Sequence, residues 1–362
     1  MSRKSVLTTL KYVLSLGLGI LLMWLSMKGM DFEQVKESFK NANYFWVGAG
    51  LVIALLSHWY RAVRWQSLIQ AAGHKSNTWN LFCSIMVSYL VNQATGRLGE
   101  VTRATMTAKS EKIPLSVSFG TMVTDRVFDI LALGILVLGT FAFQFKQINA
   151  IMDKAFASGD VSVDGTAEVF PWKWVMVGAM AAGLLFLVVI WNRLMKIALF
   201  ARGVTFTKEI WLSVKSVTKM KNPWRFLYQT AMIWICYIMM TYLVFFALPE
   251  TSNLSFVFAV TAFTMGGIGM VMPAPGGFGT YHFAIKMSFV ACAARLGYGS
   301  EKYAGDVGTN IAWIIHSSQF IMMVISGFVC YLILVPRMKI GKAGVVAGQA
   351  GQPAKELAVA DN

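Results

Sequence analysis

The residues most able to do chemistry in this chain are charged side chains set beside glycine. Gly96-Arg97-Leu98-Gly99-Glu100 is followed by Arg103. A helix starting behind such a glycine turn presents free backbone N–H groups and the positive end of its dipole, which suits an anion such as a phosphate. Arg97 and Arg103 would add planar, bidentate donors. Glu100 can cap the helix, orient an arginine or meet an amine; equally, it can do no more than neutralise Arg103. A guanidinium in a turn at membrane depth is costly, which favours a ligand role for Arg97.

A second group is Asp125-Arg126-Val127-Phe128-Asp129, in an apolar stretch that begins after Pro114. At 1.5 Å per residue Asp125 falls about 16 Å along a helix, near the middle of a bilayer. Asp125 and Asp129 are one turn apart, and Arg126 can reach Asp129. Intramembrane charges of this kind face a bundle interior or a cavity. They either shape a polar site or form a buried network with Arg97 or Arg103. Arg61 and Arg64-Trp65 close an earlier apolar stretch, and a basic–aromatic helix end is expected to snorkel to the interface. Their i, i+3 spacing leaves contact with a lipid phosphate open. In the second half, Gly276-Gly277-Phe278-Gly279 precedes His282 and Lys286, the expected counterparts of the first group. His316 lies in an otherwise uncharged stretch and reads as a hydrogen-bonded packing residue. His58, His74, His282 and His316 are too dispersed for a metal site, and no phosphate loop, dinucleotide fingerprint or nucleophile elbow occurs. No cofactor is expected.

These residues must be carried by membrane helices. Of 362 residues, 56% are hydrophobic and only 14% charged, with a mean hydropathy of +0.58. Such a balance excludes a disordered chain, a disulfide-stapled domain and an ordinary soluble enzyme. The net charge of +15 points to cytoplasmic loops and anionic lipid before nucleic acid. Cys83, Cys236, Cys292 and Cys330 all sit in apolar runs and read as small buried hydrophobes. Full spans are expected at 5–27, 44–69, 115–145, 172–191, 228–248 and 307–335. Arg3 and Lys4 precede the first, and Ser26-Met27-Lys28-Gly29 is a poor cleavage site, so this run is read as a retained span. The segment 146–173 carries Asp153, Asp160, Asp164 and Glu168 against three lysines and is placed outside. The segment 193–225 carries eight Lys or Arg against Glu209 and is placed inside. Its Ile210, Trp211, Val214 and Val217 share one face, as in an amphipathic helix on the inner leaflet or a solvated linker helix.

The two glycine-rich segments begin 180 residues apart, about half the chain. The apolar run before the first, 81–94, is too short to span, and 102–109 is too polar to face lipid. A re-entrant hairpin over 81–112 and a second over 254–296 resolve both points, since broken backbone at membrane depth is tolerated where protein or water surrounds it. The expected architecture is therefore an all-α integral membrane protein of two inverted-topology repeats, at 1–150 and 172–335. Residues 151–171 form an external loop between them, and 336–362 a disordered cytoplasmic tail. Both termini are cytoplasmic in this scheme.

Arg61-x-x-Arg64-Trp65, Gly96-Arg97-Leu98-Gly99-Glu100 with Arg103, Asp125-Arg126-x-x-Asp129 and Pro275-Gly276-Gly277-Phe278-Gly279 occur in that order. With this set the chain resembles, over roughly residues 5–335, the lysylphosphatidylglycerol synthase transmembrane-region (flippase-like) family. Thr95 stands where the family usually has proline, and His282 where it often has glutamate. The resemblance implies a multi-pass inner-membrane protein that moves a phospholipid or polyprenyl-linked lipid between leaflets. The aminoacyl-transfer domain fused to some members has no counterpart here, so enzyme activity is not implied. Nucleic acid is not an expected partner. Two other readings stay open: an intramembrane enzyme acting on a lipid head group, and a structural or regulatory membrane subunit.

Overall fold

A computed structural model describes residues 32–95, 98–143, 217, 220–271 and 275–350. Every regular element among them is helical: α1 (Phe32–Asn41), α2 (Tyr44–Ala71), α3 (Thr78–Thr95), α4 (Gly99–Glu111), α5 (Leu115–Phe143), α6 (Pro223–Phe245), α7 (Phe256–Val271), a 3-10 turn (Pro275–Gly277), α8 (Thr280–Ala291) and α9 (Glu301–Ala350). The expected spans at 5–27 and 172–191 lie outside the described residues. So do the acidic loop 146–173, most of the basic segment 193–225, and the tail from 351. Within the expected tail, the helix α9 continues through Ala350.

The ends of these helices follow from local chemistry. Asn222 caps α6, its side-chain oxygen accepting from the Arg225 N–H at 3.2 Å with Pro223 in the first turn. The helix α4 stops where Lys112 turns left-handed (φ 56°) and donates its N–H to the Ala108 carbonyl. Three helices are long and apolar enough to cross a membrane: Leu115–Phe143, Pro223–Phe245 and Glu301–Pro336. On α5 the apolar Ile135, Leu138 and Phe143 are 72%, 71% and 90% exposed, as lipid-facing side chains would be. At 28 residues α2 is also long enough to span, but from its middle onward it carries the buried polar Ser57, His58, Arg61 and Arg64.

The chain divides into two compact units, Met1–Tyr60 with Arg126–Phe320 and Arg61–Asp125 with Ile321–Asn362. In the second of these, α3 and α4 form an antiparallel helical hairpin. Glu111 closes its open end, accepting from the Asn77 N–H and the Asn80 side chain, both at 2.7 Å. At the tip the Asn92 side chain accepts from the Gly99 N–H at 2.8 Å. Glycine is required here because a Cβ on Gly99 would collide with the Ser88 carbonyl and with Asn92.

In the other unit α7 and α8 make the corresponding hairpin, with Gly266 against Tyr281 and Gly269 against Thr280. Its tip passes through Gly276, Gly277 and Gly279 at φ 59°, 73° and 82°, a left-handed path that side chains disfavour. Phe245, Phe258 and Phe289 centre an apolar core behind this hairpin, with Phe258 edge-on to Phe289 at 4.9 Å. The α5 residue Thr140 meets Thr264 of α7 at 3.1 Å.

Candidate functional site

One face of α5 collects partners from α2 and α4. Ser118, Thr121 and Asp125 recur at i, i+3 and i+7, so they share a stripe. Ser118 donates to the Ala104 carbonyl at 2.9 Å, and Thr121 accepts from the Trp65 indole N–H at 3.0 Å. Asp125 receives two guanidinium groups. Arg64 donates from Nε to Oδ1 at 2.9 Å, reaches the same oxygen with Nη2 at 2.7 Å, and also touches the Asp125 carbonyl oxygen at 3.3 Å. Arg103 Nη2 donates to Oδ2 at 3.1 Å. The side chains of Arg64, Arg103 and Asp125 have no exposed surface. Trp65, also fully buried, carries the Arg103 guanidinium 3.9 Å above its ring, a cation–π contact strengthened by exclusion of water. Arg61 lies one turn before Arg64 and is 4% exposed.

Burying three charges is justified only by close geometry, because each must lose its hydration. Here one carboxylate has each oxygen occupied by a different arginine, and an aromatic face covers one of those arginines. The cluster therefore fixes the second half of α2, the returning arm α4 and the first half of α5 around a positively weighted, water-excluded point. Its elements belong to the hairpin unit whose tip is Gly99.

The expected sites divide between the two units. Arg64, Arg103 and Asp125 come together, realising the buried network read from Asp125. Arg64 does not snorkel: it turns inward, because Asp125 faces it and a carboxylate in a dry interior outweighs exposure of the guanidinium. Arg126 pairs with Asp129 at 3.4 Å on a partly exposed surface. Asp125 and Asp129 thus have different arginine partners although they share a helical face. Glu100 sits partly buried in the first turn of α4. Arg97 and Gly96 lie outside the described residues. His282 is fully buried, 4.4 Å from Trp313 and 4.9 Å from His316 between ring centres. Lys286 follows it by one turn, within the field of Asp306. The Gly276 carbonyl oxygen lies 3.0 Å from His316 Nε2, which agrees with a hydrogen-bonded packing role for that histidine. Asn92, Thr121 and Trp313 carry no local signal in sequence, since each acts on a residue that only folding brings near. Among the described residues no cluster of three His, Cys, Asp or Glu is placed to hold a metal, and the four cysteines are buried and free of disulfides.

Three helices of lipid-spanning length and apolarity, with exposed hydrophobic side chains, define an α-helical integral membrane protein. Residues 12–335 match the lysylphosphatidylglycerol synthase transmembrane region, and the chain belongs to that family. It is similar to a UPF0104 membrane protein of Methanocaldococcus jannaschii, with 22% identity over 284 residues that cover 72% of this chain and 79% of that protein. No solved structure matches it.

Proposed function

We propose that this protein moves a phosphate-bearing lipid or lipid-linked molecule between the leaflets of the inner membrane, without altering it chemically. The observation that carries this reading is the Arg64–Asp125–Arg103 cluster: two guanidinium groups on one carboxylate, with no exposed surface, beside a glycine-tipped hairpin. Intramembrane arginines are expensive, and helical breaks at membrane depth mark binding sites in transporters. In this scheme the α3/α4 hairpin is re-entrant from the cytoplasmic side and the α7/α8 hairpin from the outside, as inverted repeats. Both termini are cytoplasmic. Arg97 and Glu100 at the first tip meet the head group, while Arg61, Arg64 and Arg103 supply the positive field behind it. Asp125, Arg126 and Asp129 shape the polar wall, and Gly276, Gly277, His282 and Lys286 form the second tip. The lipid is a membrane phospholipid or a polyprenyl-linked one.

The test is translocation in proteoliposomes, followed with head-group-labelled phospholipid and with a neutral diacylglycerol, and with mass spectrometry of the recovered lipids. Faster movement of the phosphate-bearing lipid alone, with its mass unchanged, is expected. A lipid of altered mass would establish the enzyme reading. Neither movement nor product would leave the cluster as a packing device of a structural subunit.

A further inference from the structure

The hairpin α7/α8 carries a second polar feature, distinct from the guanidinium cluster. Five buried polar atoms without a hydrogen-bond partner lie along one seam: Nδ1 and Nε2 of His282, Nε1 of Trp313, Nδ1 of His316 and Oδ1 of Asn310. On α9, Asp306, Asn310, Trp313 and His316 recur at i, i+4, i+7 and i+10, one face of a helix. On α8, His282 and Lys286 are one turn apart. The two faces meet, with His282 against Trp313 and His316 at 4.4 and 4.9 Å. At the other end, a Cβ on Gly305 would come within 3.3 Å of the Lys286 side chain. From Asp306 to His316 the seam runs about 15 Å, roughly half the hydrocarbon thickness.

The donors and acceptors along it are specific. A carbonyl only accepts, so His316 Nε2 donates its hydrogen to the Gly276 oxygen, and its Nδ1 holds a lone pair. Asn310 donates from Nδ2 to Ser38 Oγ at 2.9 Å, leaving Oδ1 as an acceptor. One nitrogen of neutral His282 is a donor and the other an acceptor. Phe278 lies 4.6 Å from His316, Tyr281 stacks on it at 5.4 Å, and Trp313 covers His282. Only Tyr281 stacks on the His316 ring; Phe278 is edge-on to it, and Trp313 is tilted against His282. Tyr281 of α8 lies against both imidazoles, while Lys286 and Asp306 interact with each other at the far end of the seam. The packed helix α7 has no titratable side chain, and α1, bonded to Asn310 through Ser38, carries Glu33, Lys36, Glu37 and Lys40.

We propose that this seam is a proton path, entered beside Lys286 and Asp306 and ending on His282 and His316, whose shared proton drives movement of the α7/α8 hairpin. It deepens, and rests on, the transporter reading above. A proton arriving at the acceptor nitrogen of His282 makes an imidazolium that can donate to His316 Nδ1. His316 in turn holds the left-handed glycine tip through Gly276. An imidazolium in this dry seam is costly, so proton binding selects an arrangement in which the arm opens, water or substrate enters, and the proton leaves to that water on the opposite side, returning both imidazoles to neutral.

Two measurements on the full chain in lipid bilayers test this. In proteoliposomes, an imposed pH gradient should accelerate translocation of labelled phospholipid at least about fivefold, with proton uptake by trapped pyranine in step. A protonophore and His282→Gln should each remove that acceleration. With 15N-histidine labelling only four histidines report, and His282 and His316 should titrate together in a scan from about pH 8 down to about pH 3. His316→Gln should change the His282 signal. Translocation equally fast with and without the gradient overturns the proton path and leaves the transporter reading standing. If no lipid moves under any condition the transporter reading fails, and the path is judged by resonance alone: imidazoles unchanged across that range overturn it.

Discussion

Asp125 is the residue on which the rest of the buried charge depends, because one carboxylate faces both Arg64 and Arg103 in a place without exposed surface. Removing one member of a buried pair costs about 3–5 kcal/mol. Asp125→Ala should therefore lower stability in detergent by about that amount, read by chemical denaturation, whereas Asp129→Ala should cost less than about 1 kcal/mol because its pair with Arg126 is partly exposed. Equal losses would show that burial does not distinguish the two. That Asp125 lies in a spanning-length apolar helix and must find a buried partner is legible in sequence. The partner of Arg64 is not, because it lies 61 residues away. Read locally, Arg64-Trp65 resembles an interfacial helix end; in the folded chain both side chains are buried, since Asp125 and Thr121 supply the partners that water otherwise would.

At the scale of elements, both hairpins follow from glycine. The run before Gly96 is too short to span and the stretch after it too polar for lipid, and these facts predict a broken pair of helices without any knowledge of contacts. The observed arms, α3 and α4, pack as that pair, though α3 begins at Thr78, where Asn77 can be held by Glu111. What sequence does not reveal is how tightly the tip closes. Asn92 and the Ser88 carbonyl leave no room for a side chain on Gly99. Gly99→Ala should destabilise the protein by about 1–3 kcal/mol through forced separation of the arms. The matching Gly48→Ala, where nothing lies within 4 Å of the added carbon, should be neutral or slightly stabilising, as expected for alanine in a helix. Thermal unfolding of the two variants side by side measures the contrast; a neutral Gly99→Ala would mean that the tip is open.

For the whole molecule, length, apolarity and the order of four weak motifs identify a membrane protein of this family, which the match over residues 12–335 bears out. The proposed entry of the two hairpins from opposite sides of the membrane rests on loop charge, and helix packing does not record it. It is measurable, because the four native cysteines are buried and leave a low background for a membrane-impermeant thiol reagent. Lys109→Cys, at the exposed end of α4, should react only from the cytoplasm, and Arg295→Cys, in the exposed connection after α8, only from outside. Labelling of both from one side would rule out opposed hairpins.

In the proposed transport the buried guanidinium geometry behind the hairpin tip, beyond its positive charge alone, holds the site at which the lipid phosphate is met. Arg103→Lys keeps the charge but gives up the planar fork and the stacking over Trp65. The deciding measurement is the rate of phospholipid translocation by this variant in proteoliposomes, using protein whose thermal unfolding matches that of the unaltered chain. A loss of about tenfold or more, the equivalent of about 1.4 kcal/mol, is the predicted result; a folded Arg103→Lys protein that moves phospholipid at the unaltered rate would contradict the account.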